Sequence, residues 1–156
     1  MDKGILSIIG VTIIAVGIVF AVAVNDSSKE ASIAPRDKCV EHAGLGMHIH
    51  PELEIRLEGQ TVALPANIGV TSSCMHPLHT HDDSGKVHVE YPQKRDFQLG
   101  DFFAVWNQPF SKSEILDKKV DETHTLTVTV DGALNEEYEK LVLKDGQKIV
   151  IDYHAK

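Results

Sequence analysis

Alternation of apolar and polar residues predicts several β-strands in this chain. Residues 53–58 alternate strictly, a turn at Gly59-Gln60 follows, and residues 61–64 alternate again. Successive side chains of a β-strand point to opposite faces of the sheet. These residues therefore predict a hairpin with one buried face. A second alternating run, residues 86–91, follows the turn-forming residues 82–85 and predicts another hairpin.

In the middle of the chain, the spacing of the apolar residues changes from that of a strand to that of a helix. Residues 99–106 place Leu99, Phe102, Phe103 and Trp106 at helical intervals, and Pro109 should end this helix. We expect the helix to be continued, after a break, by residues 113–116.

The closing strands are expected at residues 123–130, 141–146 and 148–153, because these runs are rich in β-branched or aliphatic residues. Hairpin, helix and then strands is the order of an α+β fold. We therefore predict a β-grasp-like mixed sheet with one main helix and an inserted histidine-bearing hairpin.

Residues 5–24 form an uncharged run of twenty residues, of which 16 are apolar. At about 1.5 Å per residue, a helix of this length spans a bilayer core of roughly 30 Å. Residues 1–24 are therefore predicted to be a single transmembrane anchor with a cytoplasmic N-terminus, or alternatively a cleaved signal peptide. Residues 25–38 are polar and predict a flexible linker, which leaves 39–156 as an extracytoplasmic domain.

The charge balance excludes one class of partner. The 156 residues carry 15 Lys and Arg against 23 Asp and Glu, a formal net charge of −8, with no run of basic residues. Nucleic acids require clustered positive charge, so we expect no nucleic-acid binding.

Seven of the nine histidines lie between His42 and His88. In a strand, residues i and i+2 share a face, so an HxH pair can offer two imidazoles to one ion at about 2.0–2.1 Å. The predicted metal ligands are His48, His50, His79, His81 and His88.

The convergence of these ligands depends on one turn. With a two-residue loop at 84–85, His81 opposes His88 and His79 opposes Glu90. A four-residue loop keeps these side chains on one face, whereas a three-residue loop separates them unless a bulge restores the register. The apolar residues that alternate along the second strand favour the shared face.

Other residues near this cluster have weaker assignments. His76 is a further candidate ligand, while Asp82 and Glu90 are expected to orient an imidazole through its second nitrogen or to occupy a turn. The isolated histidines, His42 among them with His124 and His154, are expected to be ordinary hydrogen-bonded or solvated side chains.

Cys39 and Cys74 allow two interpretations. In an oxidising compartment they would form a disulfide that ties the start of the domain to the loop before the histidine hairpin. Otherwise Cys74, two residues from His76, could be a soft ligand for copper.

The run CMHPLHTHDDSGKVHVE at residues 74–90, with HIHPELEIRLEG from His48, resembles an uncharacterised family of membrane-anchored or exported archaeal and bacterial proteins. An HxH pair and an LHTHDxxGxxHVE block define that family, for which no activity is established. The resemblance implies that Asp82, Gly85 and Glu90 belong to the defining motif together with the five predicted ligands.

Three functions compete at this point. The first is a membrane-tethered transition-metal-binding protein, with copper favoured over zinc and non-haem iron because several imidazoles and nearby sulfur suit it. The second is a metal-dependent oxidoreductase or hydrolase at the same histidines. The third is an accessory subunit whose anchor docks into a larger membrane complex.

Overall fold

The computed structural model describes Ala34 and residues 38–156. Over these residues the protein is mixed α+β, mostly sheet with one α-helix, which confirms the predicted class at this level. The elements in chain order are β1 (Met47–Ile49), β2 (Glu52–Leu57), β3 (Gln60–Val62), β4 (Leu78–His79), β5 (His88–Tyr91), α1 (Leu99–Trp106), β6 (Phe110–Ser111), β7 (Glu114–Ile115), β8 (Lys118–Lys119), β9 (His124–Val130), β10 (Ala133–Asn135), a 3-10 turn (Tyr138–Lys140) and β11 (Lys148–Ala155).

Five strands form the main sheet, in the order β10-β9-β11-β2-β3. The central pair, β2 and β11, is parallel, and the other three pairs are antiparallel. Leu53 and Ile55 on β2 and Ile149 and Ile151 on β11 are buried, because alternate residues of each strand face one core. The strict alternation of residues 53–58 therefore reports a half-buried strand, as predicted.

Two tight turns close the hairpins of this sheet. Glu58 and Gly59 have positive φ, and so do Asp131 and Gly132. Two consecutive residues with positive φ match the right-handed twist of the paired strands. The predicted hairpin over 53–64 is confirmed, with its turn at Glu58-Gly59 rather than at Gly59-Gln60.

Helix α1 occupies the predicted residues and buries Leu99, Phe102 and Phe103 in the same core as the main sheet. The backbone N–H of Gln98 donates to the Asp101 carboxylate at 2.8 Å, which satisfies one N-terminal donor. Asn107 ends the helix in the left-handed conformation.

The expected helical continuation at residues 113–116 is wrong. Glu114–Ile115 forms β7, the middle strand of a small antiparallel sheet with β6 and β8. The backbone N–H of Leu116 donates to the Pro109 carbonyl at 2.9 Å, so this segment folds back along the chain instead of winding on.

The end of the chain also departs from the prediction in part. The strands expected at 123–130 and 148–153 are present as β9 and β11. Residues 141–143 form only an isolated bridge between Val142 and Gln98, while Leu141 and Leu143 are buried in the core. Their apolar character reflects this burial in the core rather than membership of a sheet.

A third sheet, ordered β1-β5-β4, carries the histidines. Leu78 pairs with Val89, and His79 pairs with His88, so the predicted opposition of His79 to Glu90 is wrong. The intervening loop is longer than two residues because its second half pairs with another strand: the Leu53 N–H donates to the Gly85 carbonyl at 2.8 Å. The shift equals two residues, so the ligands keep their shared face.

The predicted anchor at residues 1–24, and all of the predicted linker except Ala34 and Lys38, lie outside the described residues. Within the part of the chain that is described, no helix combines the length and apolarity needed to cross a bilayer.

Candidate metal centre

One face of the small sheet carries the polar residues of the site. His48 on β1 opposes Glu90 on β5, and His79 on β4 opposes His88 on β5. Side chains directly opposite each other in an antiparallel pair have Cβ atoms about 4.5–5.5 Å apart. The register alone therefore gathers three imidazoles and one carboxylate on this face, while Leu78 and Val89 on the other face are buried in the core.

The remaining two ligand candidates follow the ends of these strands. His50 lies two residues beyond His48, and His81 lies two residues beyond His79. The rings of His48 and His50 have centroids 4.5 Å apart, and those of His79 and His81 have centroids 4.8 Å apart. Each HxH pair thus presents both imidazoles to the same side, as the spacing predicts.

The nitrogens of these residues form two groups that share His88. One nitrogen each from His48, His50 and His88 lie within 4.8 Å of one another, and the same holds for His79, His81 and His88. Donors at this separation need only small side-chain rotations to bind one ion at about 2.0–2.1 Å. Three imidazoles are a donor set used by copper, zinc and iron alike.

Glu90 lies in the middle of the cluster and is 1% exposed. Its Oε1 lies 3.0 Å from His48 Nε2, 3.7 Å from His88 Nδ1 and 3.9 Å from His79 Nε2. A buried carboxylate is costly unless it is paired, and here imidazoles surround it. It supplies the negative charge that a bound cation would require.

His79 is completely buried and is held in one orientation. Its Nδ1–H donates to the backbone carbonyl of His76 at 2.9 Å, so in the neutral ring the lone pair is on Nε2. That Nε2 lies 3.2 Å from Nε2 of His81, inside the cluster. Fixing the outer nitrogen in this way is how proteins orient a histidine that binds a metal.

The rings nearest the centre resist protonation. Burial first, and the neighbouring His79, His50 and His81 after it, together lower the pKa of His88 to about 4. Burial also lowers the pKa of His79, and burial together with the adjacent His48 lowers the pKa of His50. These three imidazoles are neutral near pH 7, so a metal ion need not displace a proton from their lone pairs.

Cys39 and Cys74 form a disulfide in the structure. Cys74 therefore offers no thiolate to a metal, and His76 Nε2 lies 3.9 Å from its sulfur. The disulfide, with a hydrogen bond from the Val40 N–H to the Met75 carbonyl, ties the segment after Cys39 to the loop before β4.

This connection brings His42 into the site. His42 Nδ1 donates to Glu90 Oε2 at 3.0 Å, and its ring centroid is 6.1 Å from that of His81. His42 is exposed and hydrogen-bonded, as expected, but its partner is the carboxylate of the cluster, a contact that the sequence did not indicate. The available signal was the disulfide, which carries residue 42 toward the loop that contains His76.

A second residue that the sequence did not indicate is Asp145. Its carboxylate accepts a hydrogen bond from the His50 N–H at 2.8 Å and lies 3.9 Å from the His50 ring. Asp145 reaches this position because β11, which follows it, pairs in parallel with β2. The residues around Asp145 do not indicate that β11 pairs with β2.

The weaker candidate Asp82 and the two isolated histidines, His124 and His154, make contacts of other kinds. Asp82 accepts a hydrogen bond from the Ser84 N–H at 3.0 Å, which is a turn contact. His124 stacks on Tyr153 and lies 3.1 Å from Glu58, and His154 lies 3.7 Å from Asp152. These three side chains do not belong to either of the two histidine groups.

Comparison of the chain with protein-family models, with curated proteins and with solved structures gives no match. The geometry of this centre is therefore the basis for a function.

Proposed function

We propose that this domain binds a transition metal through His48, His50, His79, His81 and His88. The main support for this proposal is the arrangement of the nitrogens. They form two groups of three, the nitrogens of each group lie within 4.8 Å of one another, and both groups lie beside one buried carboxylate. Such clustering of imidazole nitrogens about a carboxylate suits a cation.

An alternative is that the cluster is only a hydrogen-bonded network. Against this, Nδ1 of His88 is buried and has no hydrogen-bond partner among the residues that the structure describes. A buried polar atom left unpaired costs roughly 1–3 kcal/mol, which a coordinate bond to a metal would offset. A metal bound at this nitrogen would satisfy a group that the hydrogen-bonded network leaves unpaired.

Copper is the first candidate metal, with zinc and non-haem iron next. The disulfide removes the thiolate of Cys74 from consideration, so sulfur no longer favours copper. The preference rests on nitrogen donors, for which divalent copper has the highest affinity among the first-row ions.

Elemental analysis of the full chain purified from its native host tests this function. The wild-type protein should contain copper or another transition metal, and a His79→Ala/His81→Ala variant should lose it. A His124→Ala/His154→Ala variant removes the same number of histidines outside the cluster and should retain the metal. Absence of any transition metal from the wild-type protein would contradict the proposal.

A metal-dependent enzyme is the second candidate, and one observation favours it. A cavity of about 520 Å³ borders His48, with Lys94 and Arg95 also in its lining. An anionic substrate there would lie beside the metal. Azide added to the copper-loaded protein should alter its visible absorption if a coordination position is open, whereas an unchanged spectrum counts against an enzyme.

The location is also a proposal. Residues 5–24 would anchor the chain with the domain on the extracytoplasmic side, where a disulfide between Cys39 and Cys74 is stable. Extraction at high pH distinguishes an anchored chain, which stays in the membrane pellet, from a chain released by cleavage of a signal peptide.

The detailed fold and the family of the chain are also proposals. The parallel pair β2–β11, with β3 beside β2, β9 beside β11 and α1 in the shared core, supports a β-grasp-like arrangement. Membership of the HxH and LHTHDxxGxxHVE family stays a prediction from the motif.

A further inference from the structure

The five histidines are not equivalent around a single point. His48 and His50 contact each other and His88, and His79 and His81 contact each other and His88. The three-nitrogen groups divide in the same way and meet only at His88. The donors are therefore arranged about two positions rather than one.

The number of donors also exceeds the needs of one ion. A tetrahedral ion takes four ligands, and a site that keeps an open position takes three from the protein. A neutral imidazole has a single lone pair, so His88 can complete a set of three nitrogens at one position while the other position has two imidazoles. Glu90 adds two carboxylate oxygens.

Glu90 lies between the two positions. Its Oε1 is 3.0 Å from His48 of the first group, 3.9 Å from His79 of the second and 3.7 Å from the shared His88. In two-metal sites the ions are about 3.5–4 Å apart, a separation that one carboxylate can span. His42 holds the other oxygen, Oε2, at 3.0 Å and so sets the orientation of the carboxylate.

We infer that this centre takes two metal ions side by side, one on the His48–His50 pair and one on the His79–His81 pair, with Glu90 between them and His88 completing the ligand set of one of the two ions. The inference rests on the proposed metal-binding function and extends it from the presence of a metal to the number and spacing of the ions. It makes Glu90 a bridging ligand, a role closer to the metal than the orienting role that the sequence suggests.

Two single variants separate the two positions. His50→Ala removes a donor from the first group only, and His81→Ala removes a donor from the second group only. Both side chains are partly exposed, so neither substitution opens the core. Circular dichroism and thermal unfolding of the metal-free forms check that each variant folds.

The experiment loads the metal-stripped full chain, in mild detergent, separately with Cu²⁺ and Zn²⁺ and counts the ions retained after gel filtration. We expect two equivalents in the wild-type chain and one in each of the two variants. The His124→Ala/His154→Ala chain should keep two. In the Cu²⁺ form with two equivalents, magnetic coupling between neighbouring ions should reduce the EPR signal below that of two independent spins.

The outcomes distinguish the two proposals. One equivalent in the wild-type chain, weakened by both His50→Ala and His81→Ala, would overturn the two-ion centre and leave the metal-binding function in place. Two equivalents that survive both substitutions, or an EPR signal of two full spins, would place the second ion elsewhere and also overturn it. No retained ion in the wild-type chain would overturn both.

Discussion

Glu90 places a carboxylate among four imidazoles, those of His42, His48, His79 and His88. Replacement by glutamine keeps the size of the side chain, removes its charge and exchanges one acceptor oxygen for an NH2 donor. We expect Glu90→Gln to weaken metal affinity roughly 10–100-fold, the range seen when a residue that supports or completes a metal site is altered.

Competition with a chelator of known affinity measures this change. Glu136→Gln is the matched control, since Glu136 is exposed on a loop outside the cluster and its replacement should leave the affinity unchanged. Equal affinities for Glu90→Gln and Glu136→Gln would remove the carboxylate from any part in binding.

His88 links the centre to pH. Its pKa falls from the ordinary value of 6.5 to about 4 in the folded chain. As the pH drops below 6.5 the unfolded chain therefore binds a proton at this residue before the folded chain does, so the free energy of unfolding decreases. This destabilising contribution is complete near pH 4 and is absent above about pH 7.

We expect His88→Gln to lose less stability than the wild type between pH 7 and pH 4, with both proteins free of metal. Some dependence should persist, because His50 and His79 also have lowered pKa values. Denaturant titrations in the presence of a chelator measure it. Parallel stability curves for the two proteins would show that His88 does not titrate in this way.

At the residue scale, the sequence identified the five histidines because the two-residue period of a strand applies to each HxH pair by itself. His42 and Asp145 required contacts between distant parts of the chain. Each reaches the centre through a covalent or strand-pairing link that acts over more than 30 residues. The spacing of residues within one strand does not indicate such links.

At the element scale, the loop between β4 and β5 depends on Gly85. Its φ is +85°, and a Cβ atom at this position would lie 2.7 Å from the Leu53 carbonyl oxygen. Gly85→Ala should therefore destabilise the fold by the cost of a left-handed alanine, roughly 1–2 kcal/mol, and further by the displacement of this loop from β2.

Gly146→Ala separates these two causes. Gly146 also has positive φ, +69°, but a Cβ atom there would meet nothing within 4 Å. We expect a smaller loss of stability for Gly146→Ala than for Gly85→Ala, measured as the shift in the denaturant midpoint. Equal losses would mean that the close approach to Leu53 has no energetic consequence.

The same loop explains why the predicted pairing of His79 with Glu90 was wrong, although the prediction that the ligands share one face of the sheet was correct. Alternation between Val87, Val89 and the polar residues determines which side chains point toward the core, and it is unaffected by a shift of two. The register itself is set by the pairing of the loop with β2, including the bridge between Glu52 and Lys86. Alternation cannot report that contact, because it lies in another strand.

At the scale of the whole molecule, the disulfide joins residues 35 positions apart. Closing a loop of this length restricts the unfolded chain, and we expect its removal to cost roughly 2–4 kcal/mol. The Cys39→Ser/Cys74→Ser chain should unfold at a correspondingly lower denaturant concentration than the wild type.

Reduction supplies the internal control for this substitution. A thiol reductant should lower the midpoint of the wild-type chain toward that of the double variant and should leave the variant unchanged. If the reductant leaves the wild-type midpoint where it was, the bridge does not contribute to stability.

The parallel pairing of β2 with β11 has a consequence for biosynthesis. β11 is the last of the described strands to be made, yet it fills the gap between β2 and β9 at the middle of the main sheet. Until it emerges, the β2–β3 hairpin has no neighbour on that side, and a lone two-stranded hairpin is marginal in water. Contacts between such distant parts of a chain also form slowly. The five clustered histidines are all translated well before β11, so we expect the proposed metal capture to follow completion of the main sheet rather than to accompany elongation.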